Sequence, residues 1–316
     1  MTALLDILSI TVPIYLVIAL GYVCTRQGLF AKADLQVFGR FTLQLALPAL
    51  LFNALSQRSV AEILNLNYLL AYALGSLVMV SLGLWWARRV LGQSLSYSSM
   101  VAMGMSCPNS GFVGYPIILL SFGPVAGVAL ALNMVVENFL LLPLLLAIAD
   151  AQGRPGQWKT VLRQTLQSVL KNPMVWGVVA GFAFSLSGLQ MPAPVGRTID
   201  LFAQSSAVLA LFVIGGSLVG LQAQGLQATV LPIALGKLVL HPLAMWAVLA
   251  WLVPIEDPAL RAAALLTGAM PILGIFTILN QRHGHGTVSA AALLVTTVLS
   301  FFTLSALLWL LKLQPV

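Results

Sequence analysis

The sequence has 316 residues, of which 60% are hydrophobic and only 7% are Asp, Glu, Lys or Arg, and its mean hydropathy is +1.00. So few charges cannot clothe a water-soluble surface, where about 25% is usual, so the composition selects a bilayer as solvent and excludes a soluble second domain. The formal net charge of +7 comes from scattered basic residues, which argues against a nucleic-acid partner and makes the charges a report of orientation in a membrane.

Apolar stretches of about 20 residues can cross a bilayer. About ten follow one another along the chain, at 7–25, 41–55, 68–87, 96–122, 126–149, 173–187, 199–220, 229–253, 262–280 and 288–311. Asp6 but no Lys or Arg precedes the first, and no small-residue cleavage site follows it, so it is expected to be a retained span. Cys24 and Cys107 both lie in apolar stretches and read as small hydrophobes, with no disulfide framework or metal spacing. The loops are short except for the central one, 151–172.

With ten spans, alternate loops share a side. One set carries Arg26, Lys32, Arg40, Arg88, Arg89, Arg154, Lys159, Arg163, Lys171 and Arg282; the other carries Arg58, Arg197, Arg261 and Lys312. The positive-inside rule then puts the central loop in the cytoplasm and both termini outside, in a multi-pass protein of the plasma (inner) membrane.

The chain also repeats itself. At a shift of 160 residues Pro13 lands on Pro173, Gly21 on Gly181, Gly28 on Gly188, Leu29 on Leu189 and Phe52 on Phe212. At 161, residues 73–78 land on 234–239, and at 163 Pro108 lands on Pro271, Gly111 on Gly274 and Gly123 on Gly286. A first repeat at 1–150 and a second at 173–316 each hold five spans. An odd number makes the second enter from the opposite side, so the repeats are inverted, as in secondary transporters.

The fourth span reads MSCPNSGFVGYP over 105–116, and its mate in the ninth reads GAMPILG over 268–274. Pro108 and Pro271, with Gly274, mark where these helices must break. Unwound backbone at membrane depth needs protein or a water-filled cavity around it, and paired breaks point to a transport site. Asn109, Ser110 and Gly111 beside the first break are candidate substrate ligands, through side chain or free N–H.

Charged groups inside spans are rare and functional by default. Lys237 in the eighth span is a candidate ligand for an anion; its repeat mate is the neutral Ser76. Glu137 in the fifth follows Asn133 by four residues, on one helical face; Asn133 is a candidate substrate ligand and Glu137 a proton-linked or structural acid that could pair with Lys237. His241, one turn after Lys237, is a weaker proton-linked or structural candidate, and Asn53 and Gln44 are weaker still. His283 and His285 alone make no metal set. Gly177 and Gly181 form a small-xxx-small step suited to close helix packing, as at a dimer face. No phosphate loop, H-E-x-x-H or G-x-S-x-G occurs, so no cofactor, metal or catalytic centre is expected.

The run Pro108–Pro116 resembles the fourth-span signature of the auxin efflux carrier family. The resemblance extends to Leu47-Pro48 with Phe52, to Gly215-Gly216-Ser217-Leu218, to Lys237 with Pro242 and to Pro271. It implies an all-α fold of ten spans in two inverted five-helix repeats, like sodium–proton antiporters and bile acid symporters. Spans four and nine would cross at their unwound centres. Spans one, two, six and seven would form a scaffold, and a homodimer face, for an elevator-like mobile domain. Asn109 matches the family's crossover asparagine and Lys237 its eighth-span lysine. Apolar Ile272 follows Pro271 where plant members carry a polar residue, and the short central loop also favours the bacterial organic-acid branch. The expected function is transport of a small organic anion such as malonate or malate, with proton linkage. The alternatives are sodium coupling, efflux of auxin-like or amino acids and, remotely, a membrane enzyme.

Overall fold

The computed structural model describes residues 2–58, 64–150, 167, 170–221 and 227–313. Among them the chain is helical, and its only β feature is one isolated antiparallel bridge. Among the described residues seven helices are long and apolar enough to cross a membrane. They are α1 (Thr2–Arg26), α2 (Lys32–Ser56), α3 (Leu66–Val90), α6 (Val125–Asp150), α8 (Ala193–Ser217), α9 (Ala228–Trp251) and α12 (Gly286–Leu313). The expected fourth span is two helices, α4 (Leu95–Ser106) and α5 (Ser110–Phe122), and so is the ninth, α10 (Pro258–Ala269) and α11 (Phe276–Gln281).

The expected sixth span is α7 (Pro173–Ser187), an apolar helix of 15 residues. Its ends are fixed by chemistry. The Asn172 side chain accepts from the Met174 N–H at 3.0 Å, Pro173 occupies the first turn, and Gly188 closes the helix at φ 63°. The second span starts earlier than its apolar run, because residues 32–41 are helical too. There Asp34 accepts from the Ala31 N–H at 2.8 Å and Leu35 is buried, so a polar stretch that hydropathy reads as loop extends α2. The central loop expected at 151–172 lies almost wholly outside the described residues.

Five segments widen to π-helical turns, at Thr42–Ala46, Trp86–Val90, Ser110–Gly114, Glu137–Leu141 and Gly236–Leu240. Four of them end two residues before a proline: Pro48, Pro116, Pro143 and Pro242. Proline lacks an N–H and its ring collides with the carbonyl four residues back. Widening the preceding turn moves that carbonyl aside without ending the helix.

The chain forms two compact units. The first comprises Met1–Leu66, Gly111–Met134 and Val169–Val219, and so holds α1, α2, α7 and α8 with parts of α5 and α6. Its helices meet backbone to backbone at glycines. Gly21 of α1 lies on the Phe212 carbonyl of α8, and Gly215 of α8 on the Ile18 carbonyl of α1. Gly177 and Gly181 of α7 lie on the backbone of Pro48 and Phe52 in α2. The small-xxx-small face of α7 is therefore occupied by the chain's own α2, which corrects its reading as a dimer face. Asn53 and Asp200 tie α2 to α8 through an N–H···O bond of 2.6 Å, which gives Asn53 a structural partner.

The second unit comprises Asn67–Ser110, Val135–Ser168 and Gly220–Val316, and holds α3, α4, the rest of α6 and α9–α12. Glycines again set its close contacts. Gly83 of α3 abuts the Ala102 backbone, Gly104 of α4 abuts Ile233, and Gly236 of α9 abuts Met105. Two of its buried hydroxyls bond to carbonyls of their own helix, Ser106 to Ala102 and Thr267 to Ala263, and so are satisfied.

A side chain at Gly177 would meet the Pro48 carbonyl oxygen at 2.6 Å, whereas one at Gly39 meets only Val213 Cγ1 at 3.7 Å. Gly177→Val is expected to destabilise the purified protein by roughly 1–3 kcal/mol, the usual cost of overpacking, and Gly39→Ala to leave it unchanged or slightly stabilised. Thermal melts in detergent check this, and equal melting temperatures for the two variants would contradict the α2–α7 packing.

Candidate functional site

The site of interest starts with two prolines. A proline disfavours the α region in the residue before it, and at these two prolines the chain leaves it. Cys107, before Pro108, is extended at φ −97°, ψ 108°, and Met270, before Pro271, at φ −63°, ψ 152°. Helices α4 and α10 therefore stop there with carbonyl groups unsatisfied.

In the second unit the two unwound stretches answer one another. Pro108 and Ile272 form an antiparallel bridge, the Asn109 N–H donates to the Pro271 carbonyl at 2.8 Å, and the Leu273 N–H donates to the Cys107 carbonyl at 3.1 Å. The bridge pairs Pro108 with Ile272, one residue beyond the Pro108–Pro271 match of the sequence. Gly274 sits in the turn that leads into α11.

Two charged side chains stand at these breaks. Lys237 is 0% exposed, and its Nζ donates to the Gly268 carbonyl in the last turn of α10 at 2.7 Å. A cation there satisfies a free carbonyl and offsets the negative end of the helix dipole. Nζ also lies 2.8 Å from His241 Nδ1, and His241 Nε2 lies 3.2 Å from Ser76 Oγ. Because an ammonium only donates, Nδ1 accepts, and Nε2 carries the ring proton toward Ser76. Glu137 is 5% exposed. Its Oε1 accepts from Tyr72 Oη at 2.9 Å and from Ser110 Oγ, the first residue of α5.

The two π-turns that carry a buried charge, at Glu137–Leu141 and Gly236–Leu240, precede prolines, whereas Trp86–Val90, with Arg88 and Arg89, does not. The buried charge and the widened turn are thus parts of one motif. Glu137 and Lys237 are not bonded to each other as an ion pair. Each has its own partners, and they interact through space, with the Cys107 thiol in the same field. One face of α3 joins the two ends, since Tyr72 and Ser76 are one turn apart.

Most of the sequence-derived candidates thus converge: Pro108, Asn109, Ser110, Glu137, Lys237, His241 and Pro271 all belong to the second unit. Asn109 and Ser110 are 5% and 4% exposed. Gly111 and Asn133 belong to the first unit; Asn133 is buried there. Sequence reasoning missed Tyr72. Its available signal was a pair of tyrosines, Tyr68 and Tyr72, in an apolar span, where a buried phenol needs an acceptor.

His283 and His285 turn to different partners. His283 Nε2 lies 2.9 Å from Asp150 Oδ1, and His285 Nε2 lies 3.2 Å from Ser96 Oγ. Partial burial, and secondarily His283, lowers the pKa of His285 from its ordinary value. Among the described residues no three His, Cys, Asp or Glu side chains gather as a metal set. A cavity of about 580 Å³, lined by Leu82, Trp86, Met105, Leu231, Leu238 and Phe302 among others, is almost wholly apolar and offers a carboxylate nothing.

Long apolar helices, together with buried, opposite charges at helix breaks, define an integral membrane protein of the transport class. The chain belongs to the membrane transport protein family, that of the auxin efflux carriers, whose pattern it matches over residues 6–310. It is 28% identical to a Rhizobium meliloti (strain 1021) protein named "Putative malonate transporter", across 97% of this chain and 96% of that one. It is 25% identical to the uncharacterized transporter YfdV of Escherichia coli (strain K12), across 94% of each chain. It is also 25% identical to auxin efflux carrier component 7 of Arabidopsis thaliana, over 48% of this chain and 24% of the plant protein.

Replacing Lys237 by Met would leave the Gly268 carbonyl without its donor and Glu137 without a counter-charge. The expected cost is about 3–5 kcal/mol, the range for stripping a partner from a buried charge. Adding Glu137→Gln to Lys237→Met is expected to restore part of the melting temperature, because it removes the charge left over. A double variant that melts as low as the two losses summed would show that the charges do not compensate each other.

Proposed function

We propose that this protein is a secondary transporter that moves a small organic anion, a mono- or dicarboxylate such as malonate or malate, by elevator-type alternating access. The observation that carries the proposal is the crossover. It is a paired break of two helices, with Asn109 and Ser110 on one strand and a buried Lys237 beside the other. Asn109 and Ser110 bind carboxylate oxygens, with N–H groups of the restarting helix, including Gly111. Lys237 acts as counter-charge from its seat on the Gly268 carbonyl. The name of the Rhizobium meliloti relative favours malonate as the first substrate to try.

Two further observations support the inverted repeat and the ten crossings. The contact of Gly21 with the Phe212 backbone, shifted by 160 residues, becomes the contact of Gly181 with the Phe52 backbone. Such an exchange is what a two-fold relation between halves produces. Seven long helices, the short α7 and two interrupted spans also make ten. The first unit, which holds α1, α2, α7 and α8, suits the scaffold, and the second suits the moving body. Residues 111–134 join the first unit, which the sequence alone did not suggest. Basic loops orient the central loop to the cytoplasm and both termini outside.

Purified protein in proteoliposomes is expected to take up labelled malonate or malate above empty vesicles, with labelled indole-acetate as the third probe. Asn109→Ala and Lys237→Ala are each expected to lower uptake about tenfold or more, the effect of losing one hydrogen bond to a charged group or one counter-charge. Transport by Lys237→Ala equal to wild type would remove Lys237 from the site, and no transport of any of the three would sink the carboxylate reading.

A further inference from the structure

The charges of the buried centre can be summed. Lys237 contributes one positive charge and ionised Glu137 one negative. His241 is neutral, since Nδ1 accepts from Lys237 and Nε2 donates to Ser76. The other titratable groups that face Glu137 are Tyr72, which is its donor, Tyr68 behind it, and the Cys107 thiol. None of these brings a further charge, so the empty centre is neutral. Lys237 and Glu137 are both nearly or fully removed from solvent, so the centre has little water with which to screen an added charge. A bound anion would leave one uncompensated negative charge there, which an apolar interior strongly disfavours.

From this balance we propose that Glu137 takes up one proton for each anion loaded, so that the carrier is an anion–proton symporter and moves a monocarboxylate without net charge. The idea rests on the carboxylate reading above and adds its coupling ion and stoichiometry. Ser110 is the point where the two loads meet. A serine hydroxyl has one proton to donate, and in the empty site it goes to Glu137 Oε1. It cannot serve a substrate carboxylate at the same time. When a proton from the aqueous phase binds Glu137, the carboxyl no longer needs that donor. The Ser110 hydroxyl then rotates its proton to the incoming carboxylate. Unloading reverses the order, and the proton leaves Glu137 for water on the other side. Tyr72 is a positioning residue that keeps the Glu137 carboxyl beside Ser110 in both states. A dicarboxylate carried with two negative charges and one proton leaves one charge over, so its transport responds to membrane potential as well.

The test uses the full chain in proteoliposomes, with labelled malonate and labelled indole-acetate as probes and potassium plus valinomycin to set the membrane potential. The outer pH is held constant and the lumen is made more alkaline, so that substrate protonation outside does not change. Accumulation of a transported probe is expected to rise about tenfold per pH unit of gradient, as one coupled proton requires. With the gradient fixed, potential is expected to drive the doubly charged probe and to leave indole-acetate unaffected. Glu137→Gln is expected to bring the ratio of uptake with and without the gradient to about one. Should that variant not fold, Tyr72→Phe is the second probe. It is expected to displace the pH profile of uptake along the pH axis, whereas a merely structural role would lower rates alike at every pH. Wild-type uptake that ignores the gradient, a Glu137→Gln protein that keeps the full response, or an unmoved profile in Tyr72→Phe would each overturn the coupling and leave the carboxylate reading standing. Failure to transport any probe would instead overturn that reading, and the coupling with it.

Discussion

Everything at the centre of this protein follows from backbone that has no water to turn to. Prolines at 108 and 271 end two buried apolar helices, and each end leaves carbonyl groups bare. In a bilayer such groups must be met by protein. Here each broken segment supplies what the other lacks, through two hydrogen bonds between Cys107–Asn109 and Pro271–Leu273. The β-bridge is the smallest piece of sheet that can do this, and its geometry fixes which side chains share the paired break.

Once the breaks are paired, the helix ends around them set where charge is tolerated. Lys237 reaches the C-terminal end of α10, and Glu137 meets the first residue of α5. Each charge sits where the free backbone groups favour its sign. The same helix face of α3 holds the phenol that steadies the acid and the hydroxyl that steadies His241. A polar network of this size is stable in an apolar interior because its members are matched donor to acceptor.

Much of this was legible in the sequence, for physical reasons that differ by feature. The breaks were, because proline disfavours an α conformation in the residue before it and both of these prolines have glycines close by, Gly111 after Pro108 and Gly268 and Gly274 around Pro271. Lys237 and Glu137 were, because charge in a 20-residue apolar run is conspicuous. Their partners were not. The Gly268 carbonyl is a backbone atom and carries no residue signature, and Tyr72 reads as any aromatic until its acceptor is found. Hydropathy also missed the helical stretch at 32–41, whose polar residues are held in register by a capping aspartate and by continuity with the apolar half of α2. The glycine step in α7 was seen, but a glycine says only that something comes close. That the neighbour is Pro48 of the same chain is tertiary information.

The π-turns have a consequence for how such a protein can change over generations. A π-turn is one residue more than the α-helix needs, and each residue turns a helix by about 100°. If Pro143 or Pro242 were lost alone, its turn could tighten to ordinary α geometry, and the helix downstream would swing its lipid face toward the interior. A lineage that discards the proline must delete one residue in the same helix to keep the downstream face in place. Proline and surplus residue are therefore inherited as a linked pair, and a single-residue gap two to six positions before an absent proline would be the trace of their joint loss.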